Sequence, residues 1–159
     1  MPDVWVVDAS PLITLDQIGC VHLLARLSLE VMVPRGVIAE VSAGPMALTV
    51  EKLGPHRAVP VDRPDPRVAA WDLGAGETEV LSWIIGNPGA IAILDDRAAR
   101  QCASTFGIRA RGTIGVLLDA KRAGLLTAVA PLIEKLRSGG LYLSDTVIEN
   151  ALKIAGEGK

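Results

Sequence analysis

Four acidic stations in this chain sit where a folded polypeptide could turn them towards chemistry. Asp8 ends the apolar run Val4 to Val7, and Asp95 with Asp96 ends the run Ile91 to Leu94. Glu40 and Glu77 fall instead on apolar faces of segments with helical spacing. In α/β proteins ligands gather at the carboxyl ends of parallel strands, so acids delivered there by separate segments can meet across one crevice. Magnesium and manganese prefer hard oxygen ligands, and carboxylates can hold one or two such ions without histidine or cysteine. The pattern predicts an acidic metal site of the kind that activates water and neutralises phosphate in phosphodiester hydrolysis, with no protein nucleophile.

Each acid also has an ordinary reading. Asp8, in Val-Val-Asp-Ala-Ser, is a good helix N-cap, and Ser10 could orient its carboxylate or a bound water. Glu40, on a helix from Pro34 to Ser42, projects within about 60° of Val37 and Val41 and so borders the buried face; taken alone it is a surface glutamate. Glu77 projects into the middle of the face made by Val80, Leu81, Ile84 and Ile85, while Glu79 points away, and a first-turn acid also favours the helix dipole. Gly74 and Gly76 before it would let the backbone turn tightly. Either Asp95 or Asp96 can cap the following helix, so that one can bind metal while the other caps or contacts Arg97 or Arg100, and periodicity does not choose between them. Capping explains any one of these acids more easily than it explains four converging segments, and a buried carboxylate requires a cation or a donor.

The elements that must position them alternate. Strands are predicted at Val4 to Val7, Leu29 to Val33, Ala90 to Leu94 and around Ile108 to Ala110. Helices are predicted over Ser10 to Ile18, Val21 to Leu27, Pro34 to Ser42, Gly76 to Ile85, Asp96 to Phe106 and Thr113 to Arg122, then Ala128 to Arg137 and Ser144 to Ala155, with Ser144 as N-cap. The proline- and glycine-rich stretch Ala43 to Arg67 reads as loops around one short helix near Ala47 to Leu53. This order predicts a parallel sheet covered by helices, in a single domain over residues 1–155 with a flexible tail at 156–159.

Composition narrows the classes. The chain has 159 residues, half of them apolar, enough for one buried core filled by valine, leucine, isoleucine and alanine. Its aromatic residues are three Trp, one Tyr and one Phe, which speaks against an aromatic platform for stacking bases. A formal net charge of −2 leaves any polyanion to be held by local cations or metal ions. One such local excess is Arg97, Arg100, Arg109, Arg111, Lys121 and Arg122 against Asp95, Asp96 and Asp119, which reads equally as a phosphate-facing patch or as solvated helix faces. Cys20 and Cys102 make no disulfide framework, and neither zinc spacing, a secretory leader nor an apolar run of membrane-spanning length is present, so a reduced, cytoplasmic protein without a membrane segment is expected.

With these residues in view the chain resembles a PIN domain, the nuclease fold of many toxin–antitoxin toxins and RNA-processing factors. The resemblance covers about Asp3 to Leu126. It rests on VVDASPLITL at Val6 to Leu15, VPRGVIAEV ending at Val41, LGAGETEVLSW from Leu73, ILDDRAAR from Ile93 and RGTIGVLLDAKRAGLL from Arg111. It implies a three-layer α/β/α fold with a central parallel sheet of about four or five strands. It also implies Asp8, Glu40, Glu77 and Asp96 as catalytic metal-binding acids, with Asp95 sharing or replacing the last. Ser10 and Thr113 take supporting roles, and Arg97 and Arg100 are candidate phosphate contacts. The sequence departs from the family pattern at Asp95, where typical toxins carry Thr or Asn beside the acid.

The function the resemblance implies is a Mg2+- or Mn2+-dependent endoribonuclease acting on RNA, the toxin of a pair with a small antitoxin protein, and commonly a homodimer. The alternative is a catalytically degenerate PIN-like module that binds RNA or a protein partner. Other α/β chemistries fit less well. A haloacid-dehalogenase-type phosphatase needs a second aspartate where Ser10 stands, and GAGETE at Gly74 to Glu79 has neither the spacing nor the strand context of a dinucleotide fingerprint.

Overall fold

Runs that are apolar at every position become strands here because both faces of the sheet are covered. The computed structural model describes residues 3–44 and 50–158. In it β1 (Val4–Val7), β2 (Glu30–Pro34), β3 (Arg57–Val59), β4 (Ile91–Ile93) and β5 (Ala110–Arg111) form one sheet in the order β3-β2-β1-β4-β5. Every pairing is parallel, with Trp5 in register with both Val31 and Ile91, and Val7 with Ile93. Alternation sends Trp5, Val7, Val31, Val33, Ile91 and Ile93 into one core and Val6, Met32 and Ala92 into the other.

The first core is closed by α1 (Ala9–Gln17), α2 (Leu23–Leu27), α3 (Arg35–Ala43), α7 (Thr113–Arg122), α8 (Ala130–Ser138) and α9 (Asp145–Ile154). The second is closed by α4 (Pro66–Ala69), α5 (Ala75–Gly86) and α6 (Arg97–Thr105). The result is a three-layer α/β/α fold. The chain winds outward from β1 to β2 and β3, then crosses back to β4 on the other side of β1. Strand order therefore reverses between β1 and β4, which opens a crevice at their carboxyl ends.

Where the structure departs from the sequence expectation, short elements are the cause. The stretch expected as loops holds β3 and the start of α4. β3 has three residues, of which only Val59 is buried, and among the described residues it pairs only with β2 before Pro60 ends it, as suits an edge strand. α4 is a single turn capped by Asp65, whose carboxylate accepts from the Arg67 N–H at 2.8 Å while its own N–H donates to Ser82 Oγ at 2.9 Å. The short helix expected near Ala47 to Leu53 is a 3-10 turn at Val50–Leu53, and the expectation for Ala47 to Thr49 lies outside the described residues.

The C-terminal segment is anchored over residues 156–158. The Glu157 carboxylate accepts from Lys121 Nζ at 2.8 Å and from the N–H groups of Val129 at 2.8 Å and Ala130 at 3.1 Å. Lys121 Nζ also donates to the Ala155 carbonyl at the end of α9. Among the described residues no helix is long and apolar enough to cross a membrane.

Candidate active site

Asp8 emerges directly from β1, and its N–H donates to the Ile93 carbonyl at 3.0 Å, so the end of the β1 and β4 ladder fixes its position. It occupies the N-cap position of α1 with extended backbone but makes no side-chain capping bond. The capping explanation therefore does not account for this carboxylate. It is 3% exposed, and its pKa is raised from 3.8 to about 7. Burial is the largest cause, followed by the charge of Glu77. The Ala9 N–H eases the shift, while the charge of Glu40 and a hydrogen bond with Glu77 add to it.

Glu40 and Glu77 thus reach Asp8 from different helices. Glu40 lies on the exposed rim of α3, outward of Val37 and Val41, rather than within the buried face. Glu77 is half-buried in the first turn of α5. Gly76 lies against Asp8, Val37 and Glu40. A Cβ on it would stand 2.5 Å from Asp8 Oδ1, 3.4 Å from Val37 Cγ2 and 3.5 Å from Glu40 Oε2. Its φ is not positive, so the glycine supplies room and not the tight turn the sequence suggests. The signal for this was present, since a glycine inside a helix costs stability unless something approaches closely.

Glu79, expected to point away, is half-buried with its carboxylate over Gly36 in the first turn of α3, the helix that carries Glu40. No periodicity reveals this contact, because α5 is enclosed by the sheet on one side and by α3 on another. Ser10 is exposed in the first turn of α1.

The two aspartates after β4 separate cleanly. Both Asp95 oxygens are occupied by Thr113, Oδ1 by its N–H and Oδ2 by its hydroxyl, each at 2.7 Å, and Thr113 is fully buried. Asp95 therefore braces the start of α7 against the end of β4. Asp96 is exposed and caps α6, its Oδ2 accepting from the Ala99 N–H at 2.9 Å. Of the expected phosphate contacts, Arg97 and Arg100 are exposed on α6 and form no ion pair among the described residues. The rest of the arginine-rich stretch is largely committed: Arg109 to Asp3, Arg111 to Asp119 and Lys121 to Glu157.

Chemically, the crevice holds hard oxygen donors in excess of nearby positive charge. No lysine, arginine or histidine among the described residues pairs with Asp8, Glu40 or Glu77. This donor set suits a divalent cation of the magnesium type. Among the described residues no three such side chains are already drawn into ligating positions. The Glu77 carboxylate folds back over Gly74.

A family model described as a PIN domain matches residues 4–157. No curated protein matches the chain.

Proposed function

The chain belongs to the PIN-domain family, a nuclease-type fold, and we propose that it is a divalent-metal-dependent endoribonuclease that hydrolyses RNA phosphodiester bonds. The observation that carries this reading is the buried Asp8 carboxylate, held near Glu77 and Glu40 at the carboxyl end of the central strand with its proton affinity raised by both. Asp8, Glu40 and Glu77 would hold Mg2+ or Mn2+, with Asp96 as the fourth acid. Asp96 suits that role better than Asp95, because only one of its oxygens is engaged whereas Thr113 takes both oxygens of Asp95. When bound, such an ion supplies phosphate neutralisation and a more acidic water.

The chain's own part is to hold three carboxylates together against their repulsion. The β1 and β4 ladder fixes Asp8, α3 and α5 bring Glu40 and Glu77, and the room at Gly76 lets them approach. Arg97 and Arg100, exposed on α6 beside Asp95, would attract an RNA backbone. The wider role is the toxin of a toxin–antitoxin pair in the cytoplasm, restrained by a small antitoxin protein. Val147, 45% exposed, and Ile154, 63% exposed, give α9 apolar area for a homodimer, which light scattering of the purified chain tests.

Cleavage of a mixed RNA panel by chelator-stripped protein, before and after Mg2+ or Mn2+ is restored, tests the proposal. Metal-dependent cleavage should appear in the wild type and drop at least about 100-fold in Asp8→Asn, the scale of losing a group that organises the reacting centre. One observation favours a second reading, a degenerate module that binds RNA or protein: the double aspartate after β4 is spent on Thr113 and on capping α6. RNA binding that survives Asp8→Asn and Glu77→Gln, with no cleavage at any metal concentration, would select it.

A further inference from the structure

We propose that the outer edge of β5 is a track for single-stranded RNA, with Arg100 at its centre and Tyr142 as its base-stacking platform. The inference rests on the nuclease reading and extends it to the form of the substrate. Two concavities, of about 490 and about 360 Å³, flank β5 and share Asp95, Arg100 and Ala110. One continues to Arg97 and Gln101, the other to Arg111 and Tyr142. β5 pairs only with β4, so no further strand closes its outer side among the described residues.

One end of the track lies at the same carboxyl edge of the sheet as Asp8. Asp95 lies two residues beyond Ile93, which is in register with Val7, the residue before Asp8. Each oxygen of its carboxylate accepts from Thr113, and Arg97, Arg100 and Arg111 outnumber it along the two concavities. Arg97 and Arg100 form no ion pair among the described residues, and Arg111 keeps 49% of its side chain exposed beside Asp119. Tyr142, the only tyrosine of the chain, is 89% exposed.

Guanidinium groups for phosphates and an aromatic face for a base are the pair of contacts that sequence-tolerant single-strand binders combine. A duplex keeps its bases stacked inside and offers Tyr142 none. The scarcity of aromatic residues in the composition argues against many platforms, but one ring at the right edge suffices for one base.

The test is binding of a short fluorescent RNA, single-stranded or annealed to its complement, to full-length protein carrying Asp8→Asn so that nothing is cleaved. Adding Tyr142→Ala should weaken single-strand binding about tenfold, the scale of one stacked base, and leave duplex binding unchanged. Tyr142→Phe should restore it, and Arg100→Gln should reduce the salt dependence by about one phosphate contact. Equal affinities across the Tyr142 series, or equal losses for single strand and duplex, overturn the track. Tyr142-dependent binding of an acidic peptide with no RNA binding also overturns it and assigns the edge to a protein partner. The two readings fail separately. Tyr142-dependent binding by a wild-type protein that cleaves no RNA keeps the track and removes the nuclease, whereas Asp8-dependent cleavage with binding indifferent to Tyr142 does the reverse.

Discussion

Asp8 carries a proton at pH values where an ordinary aspartate has lost it, because burial and the charges of Glu77 and Glu40 raise its pKa from 3.8 to about 7. Between those values the folded state binds a proton that the unfolded state has released. The contribution to stability is complete below pH 3.8 and is lost as pH rises through about 7. Its slope reaches about 1.4 kcal/mol per pH unit. Asp8→Asn keeps a neutral group of the same shape. In chelator-treated buffer its melting temperature should exceed that of the wild type by an amount that grows between about pH 5 and pH 8; a gap that stays constant across that range refutes the assignment. At this scale the sequence was legible where an acid ends a buried strand or interrupts an apolar helix face, as Asp8 and Glu77 do. It was silent where a partner lies far along the chain. Nothing near Asp95 announces that Thr113, 18 residues on, takes both its oxygens.

Among the elements, α3 and α5 decide whether the acids meet. Their approach depends on two glycines, Gly76 over Asp8 and Gly36 under the Glu79 carboxylate. Gly76→Ala sets two effects against each other, a helix-propensity gain of about 0.5–1 kcal/mol and a Cβ driven into the space of Asp8 Oδ1. Because Asp8 is buried and its backbone is tied to β4, the clash should win. The variant should melt lower than the wild type and lose cleavage. In an Asp8→Ala background the same change should become neutral or stabilising, and additive effects of the two substitutions in thermal melts would sink this account. The long elements were readable because helical spacing over nine or more residues, as in α1, α3, α5, α6 and α7, leaves an unambiguous face. β3 and α4 were not, since three- and four-residue elements owe their form to a neighbouring strand and to the Asp65 cap.

For the molecule as a whole, the C-terminal segment is joined to the body by one carboxylate. Glu157 satisfies two backbone donors at the start of α8 and meets Lys121 on α7, while Lys121 also holds the end of α9. Glu157→Ala would leave the N–H groups of Val129 and Ala130 without this acceptor, at a cost of about 1–3 kcal/mol. Its melting temperature should fall, whereas Glu157→Gln should recover part of the loss; unchanged melting of the alanine variant would show the bonds to be dispensable. Local composition hides this, because Gly-Glu-Gly-Lys reads as polar tail until the distant N–H groups it serves are known.

The position of β1 has a consequence for how the protein is born. Of the strands in this sheet, β1 is made before the others and lies at its centre, and its second neighbour, β4, is encoded more than eighty residues later. At ribosomal speeds of about 5–20 residues per second, one flank of Val4–Val7 waits on the order of ten seconds for its partner. During that interval the nascent chain exposes an adhesive apolar edge, and Asp8 lacks the β4 carbonyl that fixes its backbone. Synthesis therefore delays assembly of the acidic crevice until the second half of the chain has been made, and it leaves the growing polypeptide most in need of chaperone cover before then.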